Sequence, residues 1–291
     1  MFKEKLKDYV KIIDVALNKC LPSSNKFCID FVESLKYGVL NGGKRLRPVL
    51  TLAICEMLGG NLNAAVALAC GVELIHAGSL IHDDLPCMDN SHYRRGFLSC
   101  HAKFGETIAV LAGDGLFLSA FNLLTEAENF QLPSHKIVKA CKIMSAMAGF
   151  DGMVLGQAMD MNLKCDCCSK EVIDVLAGLK TACLIEVACK FGVLSSEADS
   201  NVEIKINSFA HYFGLAFQIC DDLIDFNEQN KNLENLKTEK SNYVNVFKNI
   251  VELKEKFNLY KNKALDKISG FKNNEFLNYL TNFILDENKF D

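Results

Sequence analysis

The chain has 291 residues, of which 49% are hydrophobic and 23% charged. That is enough apolar material for a real core and too much for an intrinsically disordered chain. Lys and Arg number 32 against 36 for Asp and Glu, a formal net charge of −4, so binding of nucleic acid through bulk basic charge is excluded and any important charge must be arranged locally.

The first twenty residues carry charges throughout and lack the apolar centre of a signal peptide. The 13 cysteines are odd in number in a long chain, which argues against a secreted disulfide framework and for a reducing, cytoplasmic setting. Cys55, Cys70, Cys141, Cys183, Cys189 and Cys220 sit among apolar neighbours and read as small core residues. Only Cys165, Cys167 and Cys168 cluster, in a spacing that fits no common zinc framework. The most apolar stretches, 64–72 and 107–118, are interrupted by Glu73 and Asp114 short of the ~20 residues a bilayer requires. The expectation is a soluble protein without a membrane span.

Apolar residues recur at three- and four-residue spacing over 29–40, 49–58, 64–82, 107–122, 136–149, 172–194 and 203–226. Breaks fall at Gly59-Gly60-Asn61, Leu85-Pro86, Leu132-Pro133-Ser134 and Ser195-Ser196. The pattern predicts an all-α fold with short connections. No shift in composition marks a boundary before about residue 226, so 1–291 reads as one domain. Residues 227–242, rich in Asn, Lys and Glu, read as a mobile surface loop. The segments 64–82 and 203–226 are apolar nearly all round and are expected to be buried, which makes their polar residues informative, because an unpaired buried charge is costly.

Three cations, Lys44, Arg45 and Arg47, follow Gly42-Gly43, with Pro48 just inside the next helix. Lys44 and Arg47 suit a phosphate group, Arg by a two-pronged contact and Lys as a point charge. A solvated basic turn fits them too, and the motif is not a P-loop. His76 and Asp83 lie two helical turns apart on one face. Pro86 stops the helix, and the turn after it returns Asp89, gathering Asp83, Asp84 and Asp89 at the mouth of an apolar helix. Taken alone, these three also suit an ordinary acidic turn. Arg94 and Arg95 follow. Lys180-Thr181 lies inside an apolar helix, where a buried Lys needs an anionic partner. Gln157 suits an ordinary buried amide, and His101 and His211 read as satisfied structural groups. Gln218, Asp221, Asp222 and Asp225 fall on one face of one helix. Like charges at that spacing repel, so a buried triple-carboxylate stripe calls for divalent cations. Its all-oxygen donors suit Mg²⁺.

Taken together, DDLPCMD at 83–89, RRG at 94–96, DDLID at 221–225 and GGKRLRP at 42–48 resemble the motifs of the trans-type polyprenyl diphosphate synthases. The four-residue spacer between Asp84 and Asp89 is similar to that of the bacterial farnesyl diphosphate synthases. The resemblance, over roughly residues 28–250, implies a bundle of about ten or more helices around a deep central cavity, and a homodimer. It also implies the reaction: an allylic diphosphate loses pyrophosphate, isopentenyl diphosphate attacks the resulting carbocation, and loss of a proton then forms the new double bond. Asp83, Asp89 and Asp221 would hold the magnesium ions, three with substrate bound, supported by Asp84 and Asp225. Arg94 and Lys180 would clamp the allylic diphosphate, while Lys44, Arg47, His76 and Arg95 bind isopentenyl diphosphate. Thr181 and Gln218 would stabilise the cationic carbon with oxygen dipoles. Lys240, in EKSNY, matches a C-terminal lysine of the family.

Two departures stand out. The glycines that usually follow the second acidic motif are missing from 227–240, which weakens the assignment of Lys231, Lys237 and Lys240. At the position five before the first Asp, where farnesyl-type enzymes often carry an aromatic cavity floor, this chain has Gly78. Another residue must then stop the growing chain, or the product exceeds fifteen carbons. Farnesyl diphosphate is the expected product, with geranylgeranyl diphosphate the nearest rival. A terpene cyclase is disfavoured by the aspartates of DDLID and by Lys44 and Arg47, a hydrolase by the apolar lining. A non-catalytic subunit is disfavoured because both acidic stripes are present.

Overall fold

The computed structural model describes residues 1–163, 168–231 and 242–289 (for 228–231 and 289 the backbone only). Contacts divide the chain into two compact units, residues 1–142 with 191–197, and residues 143–190 with 198–291.

The first unit carries α1 (Phe2–Cys20), α2 (Ile29–Leu40), α3 (Leu46–Met57), α4 (Leu62–Asp83), a hairpin of β1 (Tyr93–Arg94) and β2 (Phe97–Leu98), α5 (Cys100–Phe104), α6 (Glu106–Glu126) and the start of α7 (Ser134–Ala148). Asn61 begins α4 by accepting a bond from the Ala64 amide at 3.1 Å, satisfying one of the amides a helix start leaves open. Leu68, Val72, Leu74 and Ile75 of this helix are 3% exposed or less, and it packs on α6 and α3. Each such side chain contributes about 1.5–3 kcal/mol on burial. Glu73, equally buried, receives Arg45 Nη1 at 2.8 Å, and Arg45 Nε reaches Asp14 at 2.8 Å. Such charges persist in a core only when paired like this.

The second unit carries α8 (Met153–Asn162), α9 (Lys170–Ala177), a π-turn (Gly178–Ala182), the start of α10 (Cys183–Leu194), α11 (Ser200–Lys231), α12 (Tyr243–Phe247), α13 (Ile250–Ile268) and α14 (Glu275–Ile284). Ser169 caps α9, its hydroxyl accepting from the Val172 amide at 3.3 Å. The long α11 packs on α13 and on the π-turn.

The all-α expectation is met. Among the described residues the only strands are β1 and β2, and Arg95 and Gly96 between them both have positive φ (56° and 82°), as a primed two-residue turn requires. Three expectations are corrected. The periodic segment 172–194 is not one regular α-helix, because the π-turn inserts an extra residue between α9 and α10. Residues 227–231, expected as the start of a loop, instead continue α11 to Lys231, and the rest of that segment up to 241 lies outside the described residues. Finally, Leu62–Asp83 and Glu106–Phe130 are long and apolar enough to cross a bilayer by length and composition. The most apolar window of α4 is 78% buried inside the protein, as befits a core helix, whereas that of Glu106–Phe130 is only 33% buried. Cys55, Cys70, Cys183, Cys189 and Cys220 are buried as expected, and Cys141 is half-buried.

Candidate active site

In the first unit, Gly42 and Gly43 adopt φ of +82° and +114°, a region closed to most side chains. Their turn delivers Lys44 to solvent and Arg45 into the core. Arg95 Nη1 donates to the Gly42 carbonyl at 2.9 Å, tying the hairpin to this turn. Arg47, one helical step into α3, places Nη1 3.4 Å from His76 Nε2. Four of the anticipated ligands of one diphosphate therefore gather within this unit. The His76 imidazole is held well below its usual pKa by burial and by Arg47, Arg95, Arg45 and Arg94, so it is neutral at pH 7 and presents hydrogen-bonding nitrogens, not charge.

At the end of α4, the Asp89 amide donates to the Asp83 carbonyl at 2.9 Å, so the turn folds back as expected from Pro86. The three carboxylates then divide. Asp83 and Asp89 are half-buried. Asp84 is 2% exposed and accepts Arg94 Nε at 3.0 and 3.2 Å, with Nη2 of the same guanidinium on Oδ1. Asp84 is thus a charge that orients Arg94, and Arg94 is held ready in an extended pair. Burial is the largest single influence and lowers the Arg94 pKa, but the bond to Asp84 together with the charges of Asp84, Asp83 and Asp89 outweighs it and the net shift is upward.

In the second unit, a cavity of about 270 Å³ is lined by Asp160, Lys180, Thr181, Gln218, Asp222 and Asp225, among others. The π-turn carries Lys180 and Thr181 into it, and π-bulges recur at functional sites because the extra residue re-aims side chains. A Cβ on Gly156 would lie 2.4 Å from the Lys180 amide nitrogen, so only glycine lets α8 approach this turn. Lys180 Nζ meets Asp160 Oδ2 at 2.5 Å. Asp160 is the anionic partner that a lysine inside an apolar helix demands. It went unassigned in the sequence, although it stands on α8 three residues after Gln157, and the need of Lys180 was the signal for it.

A continuous hydrogen-bond line runs along this cavity. The Thr181 hydroxyl donates to Gln218 Oε1 at 2.5 Å, Gln218 Nε2 donates to Asp222 Oδ1 at 2.7 Å, and the Tyr243 amide donates to Asp222 Oδ2 at 2.8 Å. Asp222 is 9% exposed, and its pKa is pushed up to about 7, first by burial and then by Asp221 and Asp225. With both oxygens engaged by protein donors, Asp222 is the structural member of the second motif, and Asp221 and Asp225, one helical turn apart, are its outer members. Lys240 lies outside the described residues, as do Lys237, the Lys231 side chain, Cys165 and Cys167.

Among the described residues no three metal-ligating side chains converge into a preformed cage. The donors are nonetheless all carboxylate oxygens, in pairs. That set fits a hard divalent cation such as Mg²⁺, which keeps several waters and completes its shell with phosphate oxygens.

Comparison with known proteins agrees with this chemistry. Residues 30–253 match the family model described as polyprenyl synthetase. Geranylgeranyl pyrophosphate synthase 11 of Arabidopsis thaliana, a chloroplastic protein, is 37% identical over 235 residues, which cover 80% of this chain and 65% of that protein. The chain thus spans just under two thirds of that relative. Geranylgeranyl pyrophosphate synthase 4 of the same plant is 35% identical over 99% of this chain and 78% of its own length. Among solved structures, a farnesyl/geranylfarnesyl diphosphate (FPP/GFPP) synthase from Zymomonas mobilis superposes with a TM-score of 0.88 at 29% identity, covering 98% of both chains. A geranyltransferase from Helicobacter pylori, solved with magnesium and isoprenyl diphosphate, gives 0.85 at 32% identity, over 97% of this chain and 96% of that one.

Proposed function

The chain belongs to the polyprenyl synthetase family of trans-prenyltransferases, and from that premise we propose that it is a magnesium-dependent enzyme that extends allylic diphosphates with isopentenyl diphosphate. The observation that carries the reading is the cavity in which Lys180, Thr181, Gln218 and Asp225 stand together. Heterolysis of the allylic C–O bond leaves charge on pyrophosphate and a cation on carbon, and one lining serves both. Magnesium, when bound, supplies neutralisation of the leaving group; Asp83 and Asp89 in the first unit, and Asp221 and Asp225 in the second, would hold such ions. In the second unit Lys180 would bind the allylic diphosphate as a fixed positive charge, oriented by Asp160; in the first, Arg94 is a diphosphate-binding cation oriented by Asp84. The Thr181 hydroxyl proton is committed to Gln218, so its oxygen offers lone pairs to a neighbouring cation. Lys44, Arg47, Arg95 and neutral His76 orient isopentenyl diphosphate. Apolar Ile173, Leu176, Ala177 and Phe226 in the cavity wall exclude the water that would quench a carbocation.

Product length turns on Gly78. A Cβ there would lie 2.8 Å from Phe117 Cε1 and 3.1 Å from the Gly113 carbonyl, so the Phe117 ring of α6 already fills the space a side chain at 78 would take. His82 braces that ring edge-to-face at 5.3 Å. An aromatic supplied from α6 in place of α4 supports a short product, farnesyl diphosphate. Geranylgeranyl diphosphate is the second reading, favoured by the names of the plant relatives and by the glycine itself. Leu111 and Leu118 of α6, 49% and 75% exposed, support a homodimer in which a second copy covers this helix, and light scattering on the purified chain reads that directly.

The test is incubation of the protein with Mg²⁺, dimethylallyl diphosphate and labelled isopentenyl diphosphate, followed by chain-length analysis. A fifteen-carbon product is expected. Pyrophosphate release without a lengthened chain would instead mean a cyclase or hydrolase.

A further inference from the structure

Tyr243 occupies a position for which the reaction gives no direct use. Its side chain is fully buried, and its phenol donates to Asp174 Oδ1 on α9 at 2.7 Å. The other oxygen of Asp174 accepts Lys256 Nζ at 2.7 Å and the Tyr260 hydroxyl at 3.1 Å, both from α13. Asp174 is not part of the lining that holds Lys180 and Gln218. That cavity is walled by Ile173, Leu176 and Ala177 of α9, whereas Asp174 and Val175 line a separate cavity of about 560 Å³ in the same unit. The backbone amide of Tyr243 meanwhile ends the Thr181–Gln218–Asp222 line at Asp222 Oδ2. One residue of α12 therefore links α9 directly, and α13 through Asp174, to the structural carboxylate of the second acidic motif on α11.

We infer that Tyr243 is a positioning residue for the second acidic motif: anchored by its phenol to Asp174, it holds Asp222 by its amide, and thereby fixes Gln218 and Thr181 and the face of α11 from which Asp221 and Asp225 project. The inference rests on the elongation activity proposed above. Its physical basis is that a carboxylate accepting two protein donors has one orientation, while the same carboxylate released from one of them rotates. The ligands one residue before and three residues after it on the same helix depend on that register. Outer partners of this kind typically change metal affinity or activity 10–100-fold when removed.

The test is Tyr243→Phe, which keeps the ring and the backbone amide and removes only the bond to Asp174. Amide exchange at residue 243 should quicken. The Mg²⁺ concentration for half-maximal rate should rise and kcat should fall, each about 10-fold, while KM for isopentenyl diphosphate, bound by the first unit, stays at its wild-type value. Asp174→Asn, which keeps an acceptor for the phenol but loses the charge facing Lys256, should give a smaller change in the same direction. Wild-type Mg²⁺ dependence in Tyr243→Phe overturns the inference. So does a loss of activity that only tracks a lowered melting temperature, with the Mg²⁺ requirement unmoved. A wild-type protein that elongates nothing overturns the function itself, and is distinguished by its own control reaction.

Discussion

The two acidic motifs use the same residue type in opposite electrical surroundings. In the first unit, Asp83, Asp84 and Asp89 share their neighbourhood with Arg94, and the adjoining GGKRLRP turn adds Arg45, Arg47 and the nearby Arg95. The cationic field is strong enough to help hold His76 neutral. In the second unit, Asp221, Asp222 and Asp225 ride one helix whose buried member accepts from an amide side chain and a backbone N–H, and repulsion among the three helps push Asp222 to about 7. The first cluster is neutralised in advance by protein cations. Among the described residues, the buried member of the second is held by neutral donors and not by a cation. In each motif one aspartate is withdrawn into the protein, Asp84 on Arg94 and Asp222 on Gln218 and Tyr243, leaving two in outer positions.

The largest expected effect breaks that symmetry of outer positions. Asp83→Ala and Asp221→Ala should each lower turnover by at least ~10²-fold, the scale of losing one electrostatic stabiliser. If the contrast between the motifs is right, excess Mg²⁺ should recover more of the rate in Asp83→Ala, where Arg94 persists on the neighbouring Asp84, than in Asp221→Ala, where the neighbouring Asp222 is held by neutral donors. Steady-state rates across a Mg²⁺ titration measure this. Near-wild-type rates in both variants would remove the metal assignment altogether.

Much of this division was legible in the sequence, and the parts that were not share a cause. Spacing alone placed Asp83 with His76 and Asp221 with Asp225, because helical periodicity is local. The demand of Lys180 for an anion was legible too, but Asp160, twenty residues earlier on α8, was not, since pairing across helices is set by how they pack. The π-turn left no periodic signature, as one inserted residue shifts the phase of a helix without lowering its hydrophobicity. Arg45 reads as one cation of three in its turn, and only its left-handed backbone, φ 48°, sends it inward to Asp14 and Glu73. Tyr243 stands beside the assigned Lys240, and its role became visible only through Asp174, 69 residues away in sequence.

An intermediate effect concerns specificity and leaves both motifs intact. Phe117→Ala should empty the space that faces Gly78 and shift product from fifteen toward twenty carbons, with the rate of the first condensation little changed. Each added isoprene unit gains on the order of 0.8 kcal/mol per buried CH₂, so elongation proceeds until a wall stops it. Product analysis by mass spectrometry decides the matter, and an unchanged distribution would move the wall away from α6.

The smallest effect sharpens the electrical contrast through two histidines. His76 in the first unit is lowered by burial and four arginines. His211 in the second is raised, chiefly by its bond to Glu186 at 3.2 Å. For His76 the unfolded chain binds the proton more readily. The stability it contributes is therefore complete above its unfolded pKa of about 6.5 and is lost as pH falls below that value. For His211 the sign reverses: the contribution is complete below about 6.5 and is lost as pH rises through the higher folded pKa. Half-exposed as it is, the His211 pair contributes no more than ~1 kcal/mol. Melting temperatures of His76→Gln and His211→Gln, each compared with wild type from pH 5 to 8, should diverge in opposite directions. The His76→Gln difference should grow toward high pH and the His211→Gln difference toward low pH. Parallel profiles would mean that burial and the arginines do not lower His76 while Glu186 raises His211.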